Sequence, residues 1–362
     1  MQDKTKNRVV AIGFILILII IFFSNILIKD KQVSISERRK LTQFPKITFK
    51  NIVDGKVTQT FEKYATDQFV GRDFFRSVKA FNSIEILKQK DNNKLFEKEG
   101  AIYKIEYPLN TVNVKKNAAK INAVYDKYLK NNQVYYAIIP DKNYYLKNDD
   151  HLKMDYNELQ KIMKNEMKNM QYIDITTSLS LENFYKTDLH WRQESLQKVV
   201  TTIQNEMNLE KSAFQIQYDK IDVGDFYGVY YGQLGIKVSP DKMYILNNKT
   251  IENCITYNYE TKESGKIYDK KTSSDKYDIY LSGATPLITI KNPNANNNKE
   301  LLLFRDSFGS SLAPLLVENY SKITLIDLRY MSSKLLDQYI KFENQDVLFL
   351  YSSLILNQDI LK

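Results

Sequence analysis

An uncharged apolar run of 20 residues near the N-terminus constrains this chain more than any other feature. The stretch "VVAIGFILILIIIFFSNILI" occupies residues 9–28. As a helix it would be about 30 Å long, which is the thickness of the hydrocarbon core of a bilayer. A helix of a soluble protein does not need to be apolar on every side. We therefore expect a transmembrane helix over residues 9–28.

The flanks of this run indicate its orientation. Three basic residues precede it, and "KDK" follows it, a balance that favours a cytoplasmic N-terminus. The segment "SNILIKDKQVS" has no small-x-small site of the kind that signal peptidase cleaves. The sequence thus predicts an uncleaved signal anchor in the cell membrane. The expected topology is a single membrane pass with a cytoplasmic segment at 1–8, a juxtamembrane linker at 29–54 and an extracytoplasmic domain at 55–362.

Composition excludes several classes of site. A single cysteine, Cys254, rules out an internal disulfide and a multi-cysteine metal site. The only histidines are His151 and His190, which leaves few ligands for zinc. A carboxylate-only site for calcium or magnesium stays open, but no calcium-loop motif occurs, and we expect no metal and no cofactor. The net charge is +9 but the lysines are scattered, which argues against a nucleic-acid groove. The 26 tyrosines are compatible with a sugar-stacking surface or with compositional drift.

Hydrophobic periodicity predicts an α/β layer with a largely parallel sheet. The pattern is helical over about 55–90, and from residue 115 helices and strands alternate. We expect helices at 115–131, 156–170, 192–208, 309–319 and 332–342, and strands at 134–140, 172–176, 301–304, 323–328 and 347–351. The stretch from about 212 to 300 breaks this rhythm with short tyrosine-rich runs between Gly, Asn and Asp. It predicts a β-rich insertion.

Two short motifs supply candidate catalytic residues. "RDSFGSS" follows the strand at 301–304, so Ser307 should lie at the carboxyl end of a parallel strand, where α/β sheets bind ligands. A serine nucleophile needs a base, and in "YKTDLHWRQE" Asp188 stands two residues before His190. An Asp–His–Ser triad is one interpretation. The alternative is that Asp188 and Ser307 only cap helices. His151, in "NDDHLKMD", is expected at the surface.

The strings "TDLHW", "LLLFRDSFGSSLAPLLVENYSKITLIDLRY" and "DVLFLYSSLIL" resemble the DHHW protein family, which is related to the SGNH hydrolase-like alginate O-acetyltransferases. "SERRKLTQFP", "DQFVGRDFF", "AIIPDKNYY" and "GDFYG" match the same pattern. The resemblance implies an SGNH-type, flavodoxin-like α/β/α sandwich. It also implies Ser307 as nucleophile, His190 as base and Asp188 as its orienting carboxylate. Backbone groups around Ser307 and Gly309 are the implied candidates for an oxyanion hole.

The sequence departs from the family pattern at two positions. Leu189 stands where the first histidine of the name-giving motif is expected, and Arg305 stands at the glycine of the usual GDS block. Three further residues are candidates for substrate binding. Arg329 either approaches the acyl acceptor or pairs with a neighbouring aspartate, and Trp191 either covers the base, stacks on a sugar or packs in the core. Tyr227 belongs to a tyrosine cluster that could carry a sugar.

The resemblance implies a membrane-anchored, extracytoplasmic O-acetyltransferase that acts on a cell-surface polysaccharide through a serine acyl-enzyme. Its acetyl donor would be relayed by a membrane-bound O-acyltransferase. Two alternatives remain open from the sequence. With water as the acceptor, the same triad would make a polysaccharide O-acetyl esterase. Without catalysis, the fold would serve as an envelope scaffold or a carbohydrate-binding protein.

Overall fold

The computed structural model describes residues 2–37, 39–147, 149–210, 215–268 and 275–362. Residues 212–214 and 269–274 of the predicted insertion lie outside the described residues. The chain forms two compact units. The first comprises residues up to 93 together with 231–237, and the second comprises residues 94–230 and 238–362.

The first unit begins with the apolar run. It forms a 26-residue helix that is exposed along its length, and residues 3–27 are long and apolar enough to cross a membrane. The predicted linker at 29–54 contains regular structure, namely a strand pair and a short helix. In chain order the elements are α1 (Gln2–Leu27), β1 (Val33–Ser34), β2 (Arg39–Lys40), α2 (Phe49–Val53), α3 (Lys56–Asp67) and α4 (Arg72–Phe81), followed by a π-helical turn over Asn82–Ile86.

A buried carboxylate explains why the linker is ordered. Arg39 donates to both oxygens of Asp67, at 2.5 and 3.0 Å, and the backbone N–H of Thr42 donates to the same group at 2.9 Å. The hydrogen bonds from Arg39 hold the pKa of Asp67 well below its usual value. These contacts fasten residues 39–42 to the end of α3.

The remaining helices and strands lie between residues 95 and 356. They are β3 (Leu95–Lys98), β4 (Ala101–Lys104), α5 (Thr111–Val124), β5 (Val134–Ile139), α6 (Tyr156–Glu166), β6 (Gln171–Ile173), α7 (Gln197–Glu206), β7 (Asp219–Phe226), α8 (Val229–Leu234), β8 (Asp241–Asn247), α9 (Lys249–Asn253), β9 (Ile255–Asn258), β10 (Glu263–Gly265), β11 (Leu287–Lys291), β12 (Glu300–Arg305), α10 (Phe308–Leu312), β13 (Lys322–Ile326), β14 (Asp346–Ser352) and α11 (Ser353–Leu356).

An eight-stranded sheet organises the second unit in the order β10–β9–β11–β13–β12–β14–β5–β6. The five strands from β13 to β6 are parallel to one another, which confirms the predicted parallel sheet. The strands β3 with β4 and β7 with β8 form separate antiparallel pairs. Because β5, β12 and β14 are parallel, the residues that follow them emerge at one edge of the sheet.

Side chains on alternating positions of the central strands enter two different cores. In β12, Leu301 and Leu303 pack in one core, whereas Leu302 and Phe304 pack in the other. Helix α7 contributes to the first core, and helices α5 and α6 contribute to the second. A parallel sheet covered on both faces reads as a continuous apolar run, as "LLLF" does here. The α/β/α sandwich expected from the resemblance is confirmed.

Several predicted elements differ in detail. The segment 309–319 is α10 followed by a 3₁₀ turn over Ala313–Asn319, because Pro314 cannot donate within an α-helix. The predicted helix at 332–342 is a 3₁₀ segment over Ser333–Gln338. The predicted insertion is only partly separate from the sheet. Strands β9, β10 and β11 extend the sheet by antiparallel pairing, because the buried side chains of β11 pack in both cores.

Truncating the fully buried Leu303 should test the central strand. We expect Leu303→Ala to lower the free energy of unfolding by about 2–5 kcal/mol, since it removes buried methyl groups and leaves a cavity. Urea denaturation measures this. Leu335→Ala is the matched control, because that side chain is 42% exposed and its truncation should cost less than about 1 kcal/mol. Equal losses in the two variants would contradict this packing.

Candidate active site

A continuous chain of hydrogen bonds joins the three residues of the predicted triad. Ser307 Oγ lies 2.7 Å from His190 Nε2, and His190 Nδ1 lies 2.6 Å from Asp188 Oδ1. Asp188 is fully buried and His190 is 8% exposed. Since the carboxylate faces Nδ1, that nitrogen carries the proton and Nε2 accepts from the serine hydroxyl. This is the geometry in which an imidazole activates a serine.

The buried carboxylate of Asp241 binds backbone N–H groups of the loop that carries Asp188 and His190. The carboxylate of Asp241, at the start of β8, accepts from the backbone N–H of Lys186 at 2.8 Å. It accepts from Thr187 twice, from the backbone at 2.9 Å and from the hydroxyl at 2.6 Å. The two residues before Asp188 are thereby held by charge-assisted hydrogen bonds.

The buried side chain of Lys142 binds backbone carbonyl groups of the same loop. Lys142 follows β5 and is 3% exposed. Its Nζ donates to the carbonyl oxygens of Tyr185, Lys186 and Asp188, at 3.0, 3.0 and 2.9 Å. All three donors of the ammonium group are therefore used by the loop. Lys142 holds the backbone of Asp188 from one side while Asp241 holds the preceding amides.

Two opposing effects act on the pKa of Lys142. Burial lowers the pKa of Lys142 to about 7, against the carboxylates of Asp188, Asp241 and Asp141, which favour the charged form. The neighbouring Asp141 is also buried, and burial raises its pKa to about 6.

The "GDFYG" motif completes the surroundings of Asp188. The backbone N–H of Gly228 donates to Thr187 Oγ1 at 2.9 Å, and that of Val229 donates to Asp188 Oδ2 at 2.7 Å. A Cβ on Gly228 would lie 2.3 Å from both the Cβ of Asp188 and the carbonyl oxygen of Thr187. Only glycine therefore allows the backbone to approach this closely. With His190 on Oδ1 and Val229 on Oδ2, both oxygens of Asp188 are engaged.

Ser307 lies two residues beyond the end of β12, as predicted, and the preceding Asp306 fixes its turn. Asp306 Oδ1 accepts from the backbone of Phe308 at 3.0 Å, and Oδ2 accepts from the backbone of Ser352 at 2.8 Å. The N–H of Gly309 donates to the backbone carbonyl of Asp306 at 3.1 Å, and a Cβ at Gly309 would lie 2.6 Å from the Cβ of Arg305. The role of Gly309 in an oxyanion hole stays a prediction.

Two aromatic rings, those of Tyr277 and Phe308, pack against the imidazole of His190. The ring of Tyr277 stacks on that of His190 at 3.9 Å between centroids, and its hydroxyl lies 2.9 Å from Ser311 Oγ. Trp191 is fully buried, and its indole N–H donates to the carbonyl of Phe308 and to Ser311 Oγ. The ring of Trp191 therefore ties the histidine loop to α10 from within the core.

The remaining candidates from the sequence are not joined to the triad by the hydrogen bonds described above. Arg329 donates to both oxygens of the buried Asp327, at 2.9 and 2.6 Å, which matches the pairing alternative. Tyr227 is 45% exposed and immediately precedes Gly228. His151 is partly buried rather than simply at the surface, and its ring stacks on Phe96 at 3.5 Å.

Sequence reasoning did not single out Lys142, Asp241 or Tyr277 as parts of this site. A buried lysine has the same sequence signal as a solvated one, although Lys142 stands in "AIIPDKNYY" directly after an apolar strand. Tyr277 follows a segment outside the described residues, and Asp241 begins a strand of the predicted insertion. Neither is adjacent in sequence to the residues it contacts.

Known proteins resemble this chain in sequence pattern and in fold. The family model described as DHHW protein matches residues 112–326. A solved DHHW family protein from Eubacterium siraeum superimposes with a TM-score of 0.61 at 17% identity, covering 74% of this chain and 93% of that one. PatB1 from Bacillus cereus superimposes with a TM-score of 0.60 at 21% identity, covering 75% and 99%. A second PatB1 structure, which carries a sulfonyl adduct, also gives 0.60 at 21% identity, covering 74% and 97%. No curated protein sequence matches the chain.

Adding a methyl group at Gly228 should disturb the bond between Asp188 and His190. In Gly228→Ala the new Cβ displaces Asp188, so we expect the low-field proton resonance of His190 Nδ1–H to shift or disappear in the NMR spectrum. Gly265→Ala is the control, because the nearest atom to its added Cβ is a hydroxyl oxygen at 3.3 Å. An unchanged resonance in Gly228→Ala would show that Asp188 tolerates the methyl group.

The lowered pKa of Lys142 should appear as a pH-dependent stability. An unfolded lysine stays protonated to about pH 10, so between pH 7 and 9 the unfolded chain binds the extra proton and the free energy of unfolding rises with pH. We expect wild type to gain about 2 kcal/mol over this window relative to Lys142→Met, which has no such group. Urea denaturation of both proteins at the two pH values measures the difference. A constant difference would mean that Lys142 stays charged.

Proposed function

Because this chain belongs to the DHHW protein family, we propose that it is a membrane-anchored O-acetyltransferase of the cell envelope. Ser307 would be the nucleophile, His190 the base and Asp188 the carboxylate that orients it. The acceptor would be a cell-surface polysaccharide on the outer side of the membrane. The observation that carries the proposal is the hydrogen-bond chain from Asp188 through His190 to Ser307, at 2.6 and 2.7 Å.

The proposed reaction has two acyl transfers. In the first, Ser307 Oγ attacks the acetyl carbonyl of the donor while His190 Nε2 takes the hydroxyl proton, and the proton then passes to the leaving group of the donor. This leaves an acetyl ester on Ser307. In the second, a sugar hydroxyl gives its proton to His190 and attacks the ester, and the proton returns to Ser307 Oγ. Asp188 stabilises the imidazolium in both steps.

The surroundings of the histidine support base chemistry rather than a capping role. A cap for α7, the next helix in the chain, would use the oxygens of Asp188 on the first amides of α7. They accept instead from the backbone and Nδ1 of His190 and from the backbone of Val229, the first residue of α8. Tyr277 covers one face of the imidazole, which limits access of water to the base from that side. Exclusion of water favours a sugar hydroxyl over hydrolysis as the fate of an acyl-enzyme.

The location is proposed from helix α1. Its exposed apolar length suits a single membrane pass with the rest of the chain outside the cytoplasm. The outer surface has no pool of activated acetyl groups, so the donor would be supplied through a membrane-bound O-acyltransferase partner.

Serine chemistry can be tested on the full chain in detergent with a chromogenic acetyl ester. We expect Ser307→Ala and His190→Ala to lose roughly 10³-fold or more in kcat, and intact mass to find one acetyl group on wild type but none on Ser307→Ala. Ser321→Ala, which removes a hydroxyl that donates to the backbone carbonyl of Lys299, should retain activity. A folded wild type that shows neither turnover nor an acetyl adduct would contradict the proposed enzymatic function. It would favour the role of an envelope scaffold or a carbohydrate-binding protein.

Two additions separate the remaining alternatives. A sulfonyl fluoride should label Ser307 and not the Ser307→Ala variant, as a sulfonyl adduct exists on the similar PatB1. With an oligosaccharide present, a transferase releases acetylated sugar in preference to free acetate. If added sugar leaves the release of acetate unchanged and acquires no acetyl group, the protein is an esterase.

A further inference from the structure

Helix α4 of the first unit has its polar and apolar faces reversed relative to a helix of a soluble protein. Arg72 and Arg76, four residues apart, point into the unit and both lie against Glu37, at 2.5 and 3.4 Å. Ala80, the next position on that face, is fully buried. The face bound by the rest of the unit is therefore the charged one.

The opposite face of α4 is apolar and exposed. Phe74, Val78 and Phe81 follow at the i, i+4, i+7 spacing of one helix face and are 67%, 40% and 56% exposed. Phe75 and Phe69 extend this surface, with ring centroids 5.7 Å apart, and are 50% and 37% exposed. We call these five residues the aromatic face. Isolated apolar residues on a surface need no explanation, but a contiguous patch of this kind marks an interaction site.

The turn between α3 and α4 is bonded to the segment that leaves α1. The backbone N–H of Val70 donates to Asn25 Oδ1 at 3.0 Å, in the last turn of α1. The side chain of Gln68 forms two hydrogen bonds with the backbone of Lys31, both at 2.9 Å. The hydroxyl of Tyr64 donates to Asp30 at 3.0 Å. Residues 64–70 are thus attached at three points to residues 25–31.

This attachment fixes the level of the aromatic face relative to the end of α1. Asn25 precedes the end of the apolar run at Ile28 by three residues, which is about 4.5 Å along a helix. The N–H of Val70 therefore lies near the boundary between acyl chains and headgroups if α1 crosses the membrane. Interfacial helices bury their apolar side chains about 5–10 Å into this boundary. Phe69 adjoins Val70, and α4 begins two residues after it.

We infer that the aromatic face is a second membrane contact, inserted into the outer-leaflet interface of the bilayer that α1 crosses. The inference rests on the membrane anchor proposed above. The occupant is lipid rather than a soluble partner, because the face adjoins the end of an apolar helix of membrane-spanning length. Lys29 and Lys31 flank the same point and complement anionic headgroups. The first unit would then lie on the membrane surface rather than hang from a flexible linker.

Photocrosslinking of the full chain in bilayer nanodiscs tests the contact directly. A photoreactive benzophenone amino acid replaces Phe74, and mixed phosphatidylcholine and phosphatidylglycerol form the bilayer. Two other positions are labelled separately for comparison. Ile15, within α1, reports the anchor itself, and Tyr330, which is 51% exposed in the second unit, reports an exposed ring outside the aromatic face.

We expect lipid adducts by intact mass at Phe74 in yields similar to Ile15 and several-fold above Tyr330. Adducts at Ile15 but not at Phe74, or equal yields at Phe74 and Tyr330, would overturn the second contact while leaving the anchor standing. A crosslink from Phe74 to a second copy of the chain would replace lipid with a dimer partner. Absence of adducts at Ile15 would remove the anchor and the inference with it. None of these readouts depends on acetyl transfer.

Discussion

The loop that carries the histidine is held between two buried charges of opposite sign. The side chain of Lys142 donates to three carbonyl oxygens of the loop, and the carboxylate of Asp241 accepts from two of its backbone N–H groups. Burying an isolated charge is costly, and the cost falls only when hydrogen bonds replace the lost water. Here backbone dipoles replace the water for both ions. Because these hydrogen bonds engage the residues before Asp188 and the carbonyl of Asp188 itself, the side chains of Lys142 and Asp241 hold Asp188, and hence His190, in position.

The parallel sheet determines which distant segments meet at this loop. Strands β5, β12 and β14 run in the same direction, so Lys142 and Ser307 lie beyond the edge of the sheet at which β14 ends with Ser352. Asp306 joins two of these strand ends by accepting from Ser352 and from Phe308. The serine is therefore attached to two strands of the buried sheet, and the histidine is brought to it by the loop. Under the proposed function, a nucleophile and a base on such supports would need little reorganisation to react.

The sequence indicated the alternating helices and strands of the fold. It did not indicate the contacts between segments that are distant in the sequence. Apolar runs such as "LLLF" and "VLFLY" predicted the parallel strands correctly, and the residues after β12 pointed to Ser307. Local periodicity carries no information on which separate segments become neighbours. For that reason it missed the burial of Lys142, the stacking of Tyr277 and the addition of β11 to the sheet. It also treated residues 29–54 as a linker, whereas they contain a strand pair and a short helix, and the ion pair between Arg39 and Asp67 holds β2 against α3.

The antiparallel edge of the sheet positions the aromatic ring that covers one face of His190. Strands β9 to β11 extend the sheet from β13, and the chain between β10 and β11 carries Tyr277 onto the face of His190. The same tyrosine is anchored through Ser311 to α10, the helix that begins directly after Ser307. A ring held against the imidazole restricts how water reaches the base without occupying Nε2, which remains directed at the serine. Under the proposed function, an acceptor hydroxyl would have to approach from the side that Tyr277 leaves open, so the residues bordering that side would decide between transfer and hydrolysis.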